Sequence, residues 1–253
     1  MKLSRMVSCI LLVGVLFLST VNGGMCATEP KIREMKPPHH VLILGNSFSF
    51  YNNGLHTFLR NLARERAAEG ERFVFRIITT SGGYLEDASF GFEQALKRQY
   101  PWDAVVFQGN SNEPIDAKKK KAFQDNARQL AAQAKAANVP ALFFATWAYT
   151  GKPEMTEPLL EAYTAIANET DSMVSPVGTA FAASLNARPD IVLLREDKLH
   201  PTEAGSYLAA CTLYASMMKR SPEGLRYDAG LGAETAAFLQ KTAWDTAQRF
   251  YNW

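Results

Sequence analysis

Short apolar runs that stop at glycine, asparagine or serine alternate with stretches of helical periodicity along most of this chain. No other feature constrains its fold as much. Residues 41–44 are apolar and are followed by Gly45 and Asn46, the pattern of a buried strand. Leu55, Phe58, Leu59, Leu62 and Ala63 then recur at helical spacing, so the chain passes from strand to helix through residues 45–54. Residues 73–79 predict a second strand, with the turn Ser81-Gly82-Gly83 and a short helix around 92–99 after it. A third, over 104–107, runs into Gln108-Gly109-Asn110-Ser111-Asn112-Glu113-Pro114. The Ala-, Lys- and Gln-rich segment 117–137 is a strong helix former, with Phe123, Leu130 and Ala134 available for packing. A strand over 141–146, a helix over 157–169, a short strand including Val174 and Val177, a helical 181–185, an apolar 191–194 and a core helix over 202–218 complete the series.

Such alternation implies right-handed crossovers and a mostly parallel sheet covered on both faces. The expected class is α/β, a three-layer α/β/α sandwich. Ligands of these sheets collect beyond the carboxyl ends of the strands. Ser47, Gly83, the run 108–112 and the pair Asp197 and His200 all follow predicted strands, so polar groups distant in the chain are expected to converge on one edge.

With 253 residues, 47% hydrophobic and 21% charged, the chain has material for one sizeable core. A net charge of +2 gives no reason to expect nucleic-acid binding. Lys2 and Arg5 precede an apolar stretch that Asn22, Gly23 and Gly24 break, which reads as a signal peptide over 1–27. One domain is expected over 28–220, and a C-terminal helix with an aromatic tail packed on it over 221–253. The apolar stretch falls short of the roughly 20 residues a membrane span needs, so a retained anchor is disfavoured and export to the periplasm or medium is expected. Acylation of Cys26 as a lipoprotein is a lesser alternative, since Met25 is a poor neighbour for it. Three cysteines, Cys9, Cys26 and Cys211, make no disulfide framework, and Cys211 reads as a small buried hydrophobe.

Ser47 stands in Leu44-Gly45-Asn46-Ser47-Phe48, where a strand ends. A serine hydroxyl needs a base within hydrogen-bond reach to act as a nucleophile; alone, Ser47 is as well explained as a turn or cap residue. His200 stands in Asp197-Lys198-Leu199-His200-Pro201, immediately before a helix. Its imidazole has the chemistry to take and return a proton if Asp197 orients it, and Pro201 restricts the residue before it. The bland reading is a solvated loop in which Asp197 or Thr202 caps the helix. His39, His40 and His56 form no metal-ligand spacing, and neither a metal nor another cofactor is expected. The G-x-S-x-G elbow of ordinary α/β-hydrolases is absent around Ser47.

Taken together, these blocks resemble the SGNH hydrolases, or GDSL-like esterases, over residues 41–218. Gly45-Asn46-Ser47 is similar to the nucleophile block, with Asn46 where the usual pattern has aspartate, and Asp197-x-x-His200-Pro201 is similar to the closing block. The resemblance implies a flavodoxin-like SGNH fold, a triad of Ser47, Asp197 and His200, and an oxyanion hole made by the Ser47 and Gly83 backbone N–H groups with one side-chain amide. Gly82 is the alternative to Gly83. The third block departs from the family's G-x-N-D: counting along the strand puts Asn112 at the usual asparagine. Phe107-Gln108-Gly109 instead resembles the Gln-Gly-Glu of carbohydrate acetylesterases and would give the role to Gln108, so that Gln108, Asn110 and Asn112 all stay open as the residue that completes the hole. The expected function is a serine esterase acting on short acyl, chiefly acetyl, esters of carbohydrate. Trp102, Trp147 and Tyr149 are candidates for sugar stacking or for packing. A non-catalytic carbohydrate-binding protein on the same scaffold is the alternative, and a pure scaffold is a weaker one.

Overall fold

The computed structural model describes residues 28–253. The expected signal peptide, with Cys9 and Cys26, lies outside the described residues. The elements follow in the order β1 (His40–Gly45), α1 (Ser47–Phe50), α2 (Leu55–Arg64), β2 (Val74–Thr79), α3 (Ala88–Lys97), β3 (Ala104–Phe107), α4 (Lys120–Ala136), β4 (Ala141–Phe144), α5 (Thr156–Glu169), β5 (Met173–Ser175), α6 (Val177–Ala187), α7 (Glu203–Met218) and α8 (Ala233–Tyr251). The strands form one parallel sheet of order β2-β1-β3-β4-β5. This is the flavodoxin-like order, whose direction of winding reverses between β1 and β3 and leaves a crevice there.

Period-two alternation sends side chains to opposite faces and so makes two cores. Val41, Ile43, Val106, Leu142 and Phe144 pack against α2, α6, α7 and α8. Leu42, Leu44, Val105, Phe107 and Phe143 pack against α3, α4 and α5. Strands buried on both faces read in the sequence as continuous apolar runs. Helix α7 is buried around nearly its whole circumference, between the sheet and α8. It tolerates this because its hydroxyls bond within the helix, Thr212 to the Leu208 carbonyl at 2.8 Å and Ser216 to the Thr212 carbonyl at 2.9 Å. Cys211, wholly buried here, has its thiol pKa pushed far up by desolvation, as an inert packing residue would. Among the described residues, no helix is long and apolar enough to cross a membrane.

Two local readings are corrected. Val177 opens α6 instead of extending β5, because Pro176 lacks the N–H that a longer ladder would need. Residues 191–194 add no strand to the sheet. Leu194 makes a single antiparallel bridge to Pro201, and the Leu193 carbonyl accepts from the Thr202 N–H at 2.9 Å, so the segment pairs with its own continuation. Gly205, in the first turn of α7, sits so close to that carbonyl that an added Cβ would collide with it.

The C-terminal aromatics pack on the body. Tyr251 is fully buried. Trp253 stacks on Tyr251 at 4.5 Å and donates from its indole to the Arg33 carbonyl at 3.1 Å.

Candidate active site

Ser47 begins α1 immediately beyond β1, in a short turn that the Asn46 side chain caps by accepting from the Phe48 N–H at 3.1 Å. Asp197 and His200 sit on a tight loop between α6 and α7. The Leu194–Pro201 bridge and an Arg195 N–H to His200 carbonyl bond of 2.8 Å close this loop. Lys198 takes a left-handed backbone at φ 66° to make the turn. Trp147 locks the loop from below. Its indole donates to the Leu199 carbonyl at 3.0 Å, and its ring is stacked between Phe48 at 4.2 Å and Phe181 at 4.4 Å.

These two segments meet. His200 Nε2 lies 2.9 Å from Ser47 Oγ, and His200 Nδ1 lies 2.8 Å from Asp197 Oδ2. The other carboxylate oxygen, Oδ1, accepts from the backbone N–H groups of Leu199 and His200, each at 2.9 Å. The His200 N–H, ahead of the imidazole contact and the Leu199 N–H, holds the Asp197 carboxyl down at about 2. An ionised carboxylate only accepts, so Nδ1 carries the imidazole proton, and Nε2 is left to accept from the Ser47 hydroxyl. A base, its orienting acid and a hydroxyl in this relay have the chemistry of a serine hydrolase.

Sequence reasoning missed two groups around the imidazole. Tyr51 stacks on it at 4.4 Å and 11° between planes, while Phe48 approaches edge-on at 6.0 Å. The signal was the aromatic run after Ser47, since Tyr51 lies one helical turn beyond it.

The expected oxyanion donors are only partly available. The Gly83 N–H donates to the Thr80 carbonyl at 3.0 Å, closing a turn that needs Gly82 at φ 66°. Gln108 is buried and its amide is fully engaged: Oε1 accepts from the Asn46 N–H at 3.0 Å and the Ser49 hydroxyl at 2.9 Å, while Nε2 donates to Asn46 Oδ1 and the Gly109 carbonyl. Asn112 is absent from the depression of about 310 Å³ at Ser47, whose walls include Gly82, Asn110 and His200. The chain turns at Gly109 to put Asn110 there, two residues sooner than counting along the strand allows. Asn110 Nδ2 lies 3.0 Å from the Gly82 carbonyl and 3.3 Å from that of Gly83. Beneath it, the buried Glu113 accepts from the Asn110 N–H at 2.9 Å and the Leu85 N–H at 3.1 Å, joining the loops after β3 and β2. Desolvation raises its carboxyl pKa.

Asn46 has a structural reason to be an amide. Its Nδ2 donates to the carbonyls of Gly83 at 2.9 Å and Gly109 at 3.3 Å, two groups that a carboxylate would repel. Asn46→Asp is therefore expected to cost about 1–3 kcal/mol of stability. Because burial raises the new carboxyl's pKa and protonation restores one donor, the deficit in urea unfolding should grow from pH 5 to pH 8. An equal deficit at both values would contradict this account.

Of the candidate sugar-stacking aromatics, Trp147 is wholly buried as described. Trp102 precedes β3, at the end of the sheet opposite Ser47. Tyr149 is partly exposed and its hydroxyl meets Ser111 Oγ at 2.6 Å, beside the depression.

No family model matches the sequence, and no curated protein matches it either. Solved structures do. A protein from Slackia heliotrinireducens assigned to the SGNH hydrolases is 25% identical, with a TM-score of 0.58 over 70% of this chain and 97% of that one. A DUF4886 family protein from Bacteroides uniformis is 18% identical, with a TM-score of 0.59 over 82% and 93%. A catalytic mutant of an acetylxylan esterase from Geobacillus stearothermophilus is 16% identical, with a TM-score of 0.56 over 72% and 95%. The last two likenesses concern the fold.

Proposed function

We propose that this chain, by fold one of the SGNH hydrolase superfamily, is an exported serine esterase that removes short acyl groups, acetyl foremost, from carbohydrate. The hydrogen-bonded relay from Asp197 through His200 to Ser47 carries the reading. Ser47 Oγ attacks the ester carbonyl as His200 Nε2 takes its proton, and Asp197 stabilises the imidazolium that forms. His200 returns the proton to the leaving alcohol, and water then releases the acyl group by the same route. Among the described residues, the Ser47 and Gly82 N–H groups donate to no protein acceptor, and they form the oxyanion hole of this proposal together with Asn110 Nδ2, which turns one N–H from the Gly82 and Gly83 carbonyls to the oxyanion. A small depression suits a short acyl group, and the acetylxylan esterase neighbour favours a sugar-borne one.

The test is covalent trapping combined with a substrate panel. A fluorophosphonate should label one residue, Ser47, and abolish acetate release from aryl acetate and acetylated xylan. Labelling elsewhere, or no turnover of any ester, sinks the proposal. Asn110→Ala should lower kcat by roughly 10²–10³ with little change in KM, as loss of one oxyanion donor does. An unchanged kcat would remove Asn110 from the hole.

A further inference from the structure

A broad concavity lies away from Ser47. It is a groove of about 950 Å³ along the free edge of the sheet, with β2 as its floor and residues of α2 and α3 as its walls. Arg60 from α2, Arg76 from β2 and Arg98 after α3 line it, and no lining residue is aspartate or glutamate. Nearby carboxylates are engaged elsewhere: Asp103 accepts the His39 and His40 N–H groups, and Glu93 pairs with Lys97. Among the described residues, none of the three arginines has an ion-pair partner, and the buried Nε of Arg60 has no acceptor. Three cations with no counter-charge, one of them with an unsatisfied buried donor, fit an anionic ligand.

The lining narrows its class. Tyr100 and Trp102 stand at one end, with Arg76 over the Tyr100 ring at 5.4 Å, and Phe90, 73% exposed, stands at the other. Aromatic faces beside guanidinium groups suit a sugar ring that bears a carboxylate. A charged side chain on the edge strand itself is how sheet edges resist pairing with another strand, which argues against a peptide. The groove also reaches Ile78 near the carboxyl end of β2, and the loop that follows supplies Ser81 and Gly82 to the Ser47 depression.

We propose that this groove binds an acidic polysaccharide, a chain of uronate units, and presents its acylated residue to Ser47. The presentation rests on the esterase reading; the binding does not. Wild type should bind unesterified polygalacturonate and not xylan, with affinity falling as salt rises. Arg76→Glu/Arg98→Glu should weaken that binding roughly tenfold or more, the effect of losing one or two charge-assisted contacts. Aryl acetate turnover should be unchanged, and acetate release should fall from acetylated polygalacturonate but not from acetylated xylan. Arg76→Gln/Arg98→Gln, which leaves no repulsive charge, gives the same readout if the reversal perturbs folding. Equal binding by wild type and both variants, preference for xylan, or binding of poly-L-glutamate without polygalacturonate overturns the proposal. Polygalacturonate binding without hydrolysis of any ester would sink the esterase reading and leave the groove standing.

Discussion

Ser47→Ala is expected to lower kcat on an aryl acetate by a factor on the order of 10⁶, leaving only what binding and the oxyanion donors supply. The size follows from the arrangement. His200 Nε2 has one protein partner among the described residues, Ser47 Oγ, and without that hydroxyl the base has no nucleophile to activate. The fold should not notice. The substitution keeps the Cβ, and the lost hydroxyl makes no other described hydrogen bond, so unfolding free energy should stay within about 0.5 kcal/mol. Purified variant and wild type are to be compared by initial rate and by urea unfolding. A residual rate within tenfold of wild type would show that another group is the nucleophile.

Asp197→Asn is expected to lower kcat by about 10⁴, through the wrong imidazole tautomer and with little displacement. Two backbone N–H groups, those of Leu199 and His200, point at Oδ1, so the new amide must put its oxygen there. Its NH₂ then faces His200 Nδ1, which becomes an acceptor and leaves the proton on Nε2, opposed to the Ser47 hydroxyl. The same substitution has a signature in stability. The Asp197 carboxyl is held near 2, below its ordinary value, so its contribution is complete above about pH 4 and is lost as pH falls toward 2. Its exposure makes that contribution small. Wild type should lose stability in this window that Asp197→Asn does not lose, as thermal melts would show. A variant with unchanged kcat would mean that the loop, not the carboxylate, orients the imidazole.

What was legible follows from the range of the interactions. Strands covered on both faces must be apolar throughout, which is why β1, β3 and β4 stand out in the sequence. Asp197 and His200 are readable as a pair because three residues of tight loop bring them together. The proposed oxyanion donors were legible only by analogy with a block pattern, from which the loop after β3 departs where the backbone turns at Gly109. Nothing local shows that Gly83 closes its own turn or that Gln108 is held by Asn46 and Ser49. The bend at Gly109, which puts Asn110 in the depression and leaves Asn112 outside, depends on packing against Phe123 and Tyr163, residues of other segments. The arginine groove was equally invisible: Arg60, Arg76 and Arg98 are ordinary surface residues until α2, β2 and α3 assemble along one edge.

The sequence by itself determined the alternation of strand and helix, and with it the layered α/β architecture and the end of the sheet where polar groups collect. These depend on hydrophobic period and turn chemistry, which act over a few residues. Only the tertiary structure decided that a serine after β1 faces an imidazole 153 positions later. Only it decided which N–H groups near them are free and which are consumed by their own turns. Distances of a few ångströms between segments far apart in the chain are set by strand order, helix packing and the competition of neighbouring carbonyls for each donor, and no local pattern encodes the outcome of that competition.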